Sequence, residues 1–142
     1  MLGEKKKGFG RGKLVGPGGK LEAGETPRQS AVREVFEECG LLVAEDDLVP
    51  LGRFRFEFPH QPAWSQLCWV FSARDWQGEM IESDELFLRW HPVDALPLER
   101  MWEDARHWLP EALAGNYVVR SFTFGADLSA VDAGHRGAAT AS

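Results

Sequence analysis

The feature that most constrains folding is a glycine-rich loop that runs directly into an acidic helix, over residues 18–41. Thr26 is a favourable N-cap, Pro27 suits the first helical position, and the Gln29 side chain can accept a hydrogen bond from the Thr26 amide. Gly40 can adopt the left-handed conformation that ends a helix. The sequence therefore predicts a helix that begins after Thr26 and stops at Gly40.

This helix has an apolar face and an acidic face at about 3.6 residues per turn. The apolar face, which we expect to be buried, carries Ala31, Val32, Val35, Phe36 and Cys39. Glu34, Glu37 and Glu38 share the acidic face, which we expect to be exposed and without a Lys or Arg. Like charges at this spacing repel by a few tenths of a kcal/mol per pair, so the pattern favours a bound cation. Carboxylate oxygens suit Mg²⁺ or Mn²⁺, although three glutamates on an arbitrary helix are more often a solvated face.

The spacing of the glycines and charged residues in this loop and helix resembles the Nudix box without a departure. The matching residues are Gly19, Glu25, Arg33, Glu34, Glu37, Glu38 and Gly40, with apolar Val35 and Leu41 between and after them. Nudix resemblance implies an α+β fold, with a mixed β-sheet between helices and the box as a loop, a helix and a second loop. It also implies an enzyme that hydrolyses a nucleoside diphosphate linked to another moiety.

The resemblance also implies roles for individual residues. Mg²⁺, or Mn²⁺, would be held by the Gly18 carbonyl, by Glu34, Glu37 and Glu38 of the box, and by a later carboxylate. Glu85 best matches that later ligand, and Glu82 is the second choice. Glu34 or Glu37 would orient or deprotonate the attacking water, and the sequence does not choose between them. The structural positions would be Gly19, Glu25, Arg33 and Gly40, with Arg33 paired to Glu25.

Stretches outside the box resemble MutT-type oxidised-purine nucleoside triphosphatases. These stretches are residues 5–10, 56–58, 82–85 and 101–104, together with Trp108. The implied activity is cleavage of 8-oxo-dGTP, 2-hydroxy-dATP or similar nucleotides to the monophosphate and pyrophosphate. The implied substrate contacts are Lys5 and Lys20 to phosphate, Phe56 and Trp102 as an aromatic wall, and Asp104 to a base edge. Base stacking on an aromatic ring contributes about 1–3 kcal/mol. Packing in the core is an equal alternative for Trp102, and it is the better explanation of Trp108.

Three departures from the MutT-type pattern concern the base pocket and the start of the chain. Val15 stands where vertebrate members have an asparagine that reads the base, and Ala105 stands where they have a second aspartate. The apolar strand that normally precedes residues 2–5 is absent, so we expect a truncated first strand. Two other functions stay open: a Nudix hydrolase of sugar nucleotides or dinucleoside polyphosphates, and a non-catalytic nucleotide-binding module.

Length and composition bound the remaining possibilities. A chain of 142 residues predicts one domain, over residues 1–125, with a flexible tail over residues 126–142. The net charge of −6 argues against a binder of nucleic acid polymers. The two cysteines, Cys39 and Cys68, have no neighbours at zinc-ligand spacing and are expected in the core. No signal peptide or long apolar run is visible, which favours a cytoplasmic protein without a membrane partner.

Periodicity predicts the other elements. Expected strands cover residues 14–15, 41–44, 48–58, 64–73, 86–91 and a final one at 116–124, and an amphipathic helix covers 99–114. In the longest strand Phe54, Phe56 and Phe58 alternate with charged residues, so one face should be aromatic. Lys6 and Lys7 are expected to be solvated.

Overall fold

Two α-helices and seven β-strands form the described part of the chain, a computed structural model that covers residues 1–127 and 129–135. The helices are α1 (Pro27–Cys39) and α2 (Ala105–Leu113). The strands are β1 (Leu2–Lys5), β2 (Leu14–Val15), β3 (Val49–Glu57), β4 (Gln66–Ser72), β5 (Leu86–Arg89), β6 (Val118–Phe124) and β7 (Ala130–His135). Neither helix has the length and hydropathy needed to cross a lipid bilayer.

The strands are divided between two sheets. In the first sheet, β1 lies between β2 and β5 and is antiparallel to both. The second sheet has the order β4-β3-β6-β7, with β3 and β6 parallel and β6 and β7 antiparallel. The predicted α+β class with a mixed sheet is therefore confirmed, although the sequence indicated one sheet and the structure has two.

The fold consists of two compact units, each with its own sheet. The first unit contains residues 1–49 and 73–101, and the second contains residues 50–72 and the chain from residue 102 onward. The first unit is built on a small apolar cluster of Cys39, Leu41, Leu86 and Leu88, against which Met1, Val15, Val35 and Met80 pack. This cluster connects the C-terminal end of α1 to β5.

Helix α1 has the boundaries that the sequence predicts. The Thr26 hydroxyl accepts a hydrogen bond from the Gln29 amide, and the Gln29 side chain accepts one from the Thr26 amide. Gly40 ends the helix in the left-handed conformation, at φ 75°. The predicted faces are partly wrong, because Phe36 is 56% exposed whereas Glu38 is only 7% exposed. The last turn of α1 is covered on the side of Glu38 and Cys39, so burial follows tertiary packing rather than side-chain polarity.

The second unit has an aromatic core. Phe54 of β3 and Phe122 of β6 are fully buried, and Trp108 of α2 packs against Phe54 with ring centroids 4.3 Å apart. Phe58 is also buried and stacks on Phe124 at 4.7 Å. The predicted aromatic face of β3 and the core position of Trp108 are confirmed.

Three predicted elements differ from the structure. Residues 41–44 form no strand, because Leu42 makes only a single bridge, to Gln77. The helix predicted at 99–114 begins only at Ala105, since Met101 adopts an extended conformation at φ −91° and ψ 170°. Strand β6 is not the last, because β7 follows it and pairs with it. The end of the predicted flexible tail, residues 136–142, lies outside the described residues.

Gly52 tests the parallel pairing of β3 with β6. A Cβ at this position would overlap the Val118 carbonyl oxygen and come within 2.7 Å of the Phe54 ring. Gly52→Ala should therefore destabilise the fold by about 1–3 kcal/mol, as overpacking does in well-packed cores. The matched control is Gly16→Ala, where an added Cβ meets nothing within 4 Å. Thermal unfolding measures both variants, and equal Tm values would contradict the described pairing.

Candidate functional site

Arg33 on α1 ties the preceding loop to the helix. Its Nε donates to Glu25 Oε2 at 2.7 Å, and its Nη2 donates to Glu25 Oε1 at 3.0 Å and to the Lys20 carbonyl at 3.1 Å. The hydrogen bonds from Arg33, followed by that from the Glu22 amide, lower the pKa of Glu25 to about 2. The structure therefore contains the pairing of Arg33 with Glu25 that the sequence predicts.

The same guanidinium also reaches the acidic face of the helix. Nη1 of Arg33 donates to Glu34 Oε1 at 2.7 Å and to Glu37 Oε2 at 3.2 Å. The prediction that no basic residue relieves the acidic face is therefore wrong. A side chain four residues before Glu37 lies on the same side of the helix, and the long Arg33 side chain bends towards its neighbour Glu34 as well. Glu37 is the most exposed of the three carboxylates that Arg33 contacts within 3.2 Å, with 56% of its side chain accessible.

Glu38 is the buried carboxyl group of the helix. Its Oε1 accepts a hydrogen bond of 2.8 Å from the Gly18 amide, which joins the glycine-rich loop to the last turn of α1. Burial raises the pKa of Glu38 to about 7; the Gly18 hydrogen bond opposes this rise, and the negative charges of Glu34 and Glu85 add to it. The expectation that the whole acidic face is exposed is wrong for this residue.

Gly19 is needed for close approach rather than for an unusual backbone conformation. A Cβ at Gly19 would overlap the Glu34 carboxylate, with Cδ only 2.5 Å away. Any side chain at this position would push Glu34 from its place beside the loop. The structure thus supplies a physical reason for glycine at this position of the motif.

Glu85 lies immediately before β5, close enough to Glu38 for its charge to act on that carboxyl group. Its charge is among the causes that raise the pKa of Glu38. Its carbonyl accepts a hydrogen bond of 2.9 Å from the Lys6 amide, and the Lys6 ammonium donates to the Ser83 carbonyl at 2.9 Å. Lys6 is exposed, as expected, but the pairing of β1 with β5 also gives its amide and ammonium groups hydrogen-bond partners. Sequence reasoning missed Lys6 and Ser83, since the register of those two strands is not readable from either segment alone.

The chemistry of this donor set fits a hard divalent cation. The negative charges of Glu34 and Glu85 both act on the buried Glu38, and carboxylate oxygens are the ligands that Mg²⁺ and Mn²⁺ prefer. Within the described residues no three acidic, histidine or cysteine side chains already stand in the arrangement of a metal site. The Gly18 amide holds Glu38 through Oε1, and Arg33 holds Glu34 through Oε1, so each carboxylate has a second oxygen that neither contact uses.

Comparison with known proteins identifies the family. The NUDIX domain family matches residues 1–112. The chain belongs to the Nudix family. It is 40% identical over 124 residues to an oxidized purine nucleoside triphosphate hydrolase of Danio rerio, which covers 87% of this chain and 78% of that protein. The Mus musculus protein of the same description is 38% identical over the same shares of the two chains.

More distant bacterial proteins agree with this placement. An 8-oxo-dGTP diphosphatase of Escherichia coli is 39% identical over 67 residues, which is 47% of this chain and 48% of that protein. The crystal structure of a MutT protein from Bacillus halodurans superposes with a TM-score of 0.75 at 27% identity, covering 92% of this chain and 84% of that chain. The Nudix fold and the hydrolase family expected from the sequence are confirmed.

The two lysines predicted to contact phosphate lie in the first unit, which also contains the Nudix box. Lys5 is half-buried in β1. Lys20 is exposed in the loop before α1, and its carbonyl accepts a hydrogen bond from Arg33. Neither ammonium group forms an ion pair with any side chain in the described part of the chain. Gly18 contributes its amide to Glu38, and a metal contact through its carbonyl stays a prediction.

The second unit of this Nudix protein contains the residues predicted to read a base. Asp104 is buried, and its Oδ2 accepts a hydrogen bond of 2.7 Å from Trp108 Nε1. Burial raises the pKa of Asp104, against the opposing effect of that hydrogen bond. Trp102 is half-buried and meets Phe58 and Phe124 edge to face.

Two further residues of the second unit were singled out in the sequence. Phe56 is half-buried in an aromatic cluster with Phe54, Phe122 and Phe124. Burial, followed by the charge of Asp104, raises the pKa of the Cys68 thiol to about 11. Burial likewise raises the pKa of Cys39 in the first unit to about 11. Both thiols are therefore protonated near neutral pH and poorly suited to act as nucleophiles.

The Arg33–Glu25 pair predicts an acid-dependent part of the stability. Because the pKa of Glu25 is lowered to about 2, the pair stabilises the fold above the ordinary glutamate pKa, and this contribution is lost as the pH falls towards 2. Glu25→Gln should therefore have a lower Tm than the wild type at pH 7, and the difference should shrink steadily in acid. Glu22→Gln is the matched control, since Glu22 is 68% exposed and lies 3.7 Å from Arg33. Thermal unfolding between pH 7 and about pH 2.5 tests this, and a constant difference between Glu25→Gln and wild type would contradict it.

Proposed function

We propose that this chain hydrolyses oxidised purine nucleoside triphosphates, such as 8-oxo-dGTP, to the monophosphate and pyrophosphate. Two vertebrate relatives described as oxidized purine nucleoside triphosphate hydrolases, 40% and 38% identical over 87% of the chain, support this substrate class. The observation that carries the catalytic part is the buried Glu38, joined to the Gly18 amide and surrounded by the charges of Glu34 and Glu85.

The proposal assigns Mg²⁺, with Mn²⁺ as a substitute, to the first unit. Glu34, Glu38 and Glu85 would hold the cation, with the Gly18 carbonyl and Glu37 as further oxygen ligands. When bound, such a cation neutralises phosphate charge and makes a coordinated water more acidic. The chain's own part is to keep several carboxylates close together despite their repulsion, which the contacts of Arg33 and Gly18 achieve.

Proton transfer from the attacking water is assigned to Glu34 or Glu37. Glu34 is held at Oε1 by Arg33 and by the close approach of Gly19, so its position is well defined. Glu37 contacts the same guanidinium. Its side chain is more exposed than that of Glu34, so solvent water can reach it. Lys5 and Lys20 would bind the triphosphate, because their ammonium groups have no ion-pair partner among the described residues.

Purine recognition is assigned to Trp102, Phe56 and Asp104 of the second unit. A purine stacks favourably on an aromatic ring, and Trp102 and Phe56 are both half-buried candidates for that role. Discrimination of one added oxygen requires a buried polar partner, because apolar pockets reject a hydroxyl group only weakly. Asp104 meets this requirement, since it is buried and its orientation is fixed by the hydrogen bond from Trp108.

A substrate panel tests the proposed function directly. The protein is incubated with Mg²⁺ and with 8-oxo-dGTP, 2-hydroxy-dATP, dGTP, a sugar nucleotide or a dinucleoside polyphosphate, and the products are identified. Release of pyrophosphate with the highest kcat/KM on an oxidised purine is expected. Preference for a sugar nucleotide or dinucleoside polyphosphate would support the alternative Nudix activity, and binding without turnover would support a non-catalytic module.

Glu38→Gln tests the catalytic part. The variant should fold normally, because glutamine matches the shape of the protonated carboxyl group and keeps an acceptor for the Gly18 amide. It should nevertheless lower kcat/KM by at least about a thousandfold, or roughly 4 kcal/mol, because a neutral amide is a poor cation ligand. Glu45→Gln, an exposed carboxylate in a turn after α1, is the matched control. Turnover at the wild-type rate by Glu38→Gln would remove Glu38 from the catalytic centre.

Asp104→Ala tests recognition of the damaged base. The ratio of kcat/KM for 8-oxo-dGTP to that for dGTP should fall at least about tenfold, because the variant lacks the buried group that reads the added oxygen. Trp108→Phe is the control, since it breaks the same buried hydrogen bond but keeps the carboxyl group. Trp108→Phe should lower Tm and should reduce the ratio less than Asp104→Ala does, because the carboxyl group is kept but is no longer oriented by the indole. Equal loss on both nucleotides in Asp104→Ala would show that Asp104 does not distinguish them.

A further inference from the structure

The pairing of β1 with β5 places Lys6 opposite Glu85. The register runs from Leu2 opposite Arg89 to Lys5 opposite Leu86, so the next pair outward is Lys6 and Glu85. The Lys6 amide continues the ladder by donating to the Glu85 carbonyl at 2.9 Å. The backbone of Glu85 is therefore fixed to the first sheet at the point where its side chain leaves that sheet.

The Lys6 side chain holds the turn that leads to Glu85. Its ammonium group donates to the Ser83 carbonyl at 2.9 Å and lies 3.4 Å from a Glu82 carboxylate oxygen. The contact to the carbonyl is a charge-assisted hydrogen bond, which is stronger than a neutral one. The exposed Glu82 contact adds little, because surface ion pairs are weak.

The Ser83 hydroxyl closes the same turn from within. Its Oγ accepts hydrogen bonds from the Glu85 amide at 3.2 Å and from the Leu86 amide at 3.3 Å. Leu86 is in turn only 2% exposed, and Gly3 of β1 leaves the room that its side chain occupies. Glu85 is thus an exposed residue between the turn that the Ser83 hydroxyl stabilises and the buried Leu86.

Fixing Glu85 matters because it carries a like charge towards Glu38, which is already buried. An unrestrained carboxylate in that position would turn to solvent to reduce the repulsion, and its contribution as a ligand would fall. Lys6 and Ser83 direct their shorter hydrogen bonds to the backbone of residues 83–86, and none of these bonds involves the Glu85 carboxylate.

We propose that Lys6 and Ser83 are positioning residues that hold the Glu85 carboxylate beside Glu38 for binding a divalent cation. Neither residue touches the cation or the phosphates. They act through the backbone of the turn that presents Glu85. This inference rests on the proposed function, because it takes Glu85 as a cation ligand.

The experiment measures Mn²⁺ binding to the full chain without nucleotide, by the loss of the free-ion electron paramagnetic resonance signal. Lys6→Met and Ser83→Ala should each raise the Kd for Mn²⁺ about tenfold, the low end of the range seen when outer-shell partners of metal ligands are removed. Lys7→Met, which removes the neighbouring exposed charge, should leave the Kd unchanged. Ser83→Thr retains the hydroxyl group and should restore the wild-type value.

Two further measurements separate positioning from general stability. The Tm of each variant without metal should stay close to that of the wild type, and the KM for Mg²⁺ in nucleotide hydrolysis should rise more than kcat falls. A fall in Tm with unchanged Mn²⁺ affinity would show a merely structural role and overturn the inference.

Glu85→Gln distinguishes failure of this inference from failure of the proposed function. If Glu85→Gln weakens Mn²⁺ binding while Lys6→Met and Ser83→Ala do not, Glu85 is a ligand and the positioning role is wrong. If Glu85→Gln itself leaves the Kd unchanged, the assignment of Glu85 as a ligand is wrong, and the positioning role falls with it.

Discussion

The first unit depends on the packing of the end of α1 against β5. Cys39 and Leu86 belong to one small apolar cluster, and each is preceded in the chain by a functional candidate. Glu38 comes just before Cys39, and Glu85 comes just before Leu86. Burial of two apolar side chains therefore brings together two carboxylates that would otherwise separate. The hydrophobic effect supplies the driving force, because it acts on the apolar neighbours while the charges themselves oppose the contact.

The Arg33 guanidinium and the Gly18 amide both donate hydrogen bonds to glutamates of this motif. Arg33 forms ion pairs with Glu25, Glu34 and Glu37, whereas in the described part of the chain Glu38 pairs with no basic side chain and accepts a hydrogen bond from the Gly18 amide. Burial, with the charges of Glu34 and Glu85 added, raises the pKa of Glu38 to about 7, whereas the hydrogen bonds from Arg33 lower the pKa of Glu25 to about 2. The pKa values of two glutamates within one motif thus shift in opposite directions, because one contacts a guanidinium and the other is buried beside carboxylates.

The sequence correctly predicted features that depend on interactions between residues close together in the chain. The caps of α1, the pairing of Arg33 with Glu25 and the alternation along β3 depend on residues close together in the chain, and the structure contains them all. Burial of Glu38 and exposure of Phe36 were not predictable in this way, because they depend on which segments cover the last turn of α1. Membership of the Nudix family was readable because the box fixes many positions at once.

Features that depend on distant strand pairing were missed. The contacts of Lys6 require the register of β1 with β5, which residues 1–10 do not reveal alone. Strand β7 was expected to be part of a flexible tail, since its sequence has small residues and no clear alternation. It forms because β6 offers a free edge, with a register shift between Ser121 and Phe122.

The contacts of Arg33 limit what could replace it during evolution. Its three nitrogens lie in one plane with fixed directions. They donate to both carboxylate oxygens of Glu25, to the Lys20 carbonyl, and to the carboxylates of Glu34 and Glu37. A lysine would supply equal charge from a single nitrogen, and it could not span these acceptors together. This position therefore requires the donor geometry of a guanidinium as well as a positive charge. A substitution that preserves the charge would still break the hydrogen bonds that join the loop to the helix.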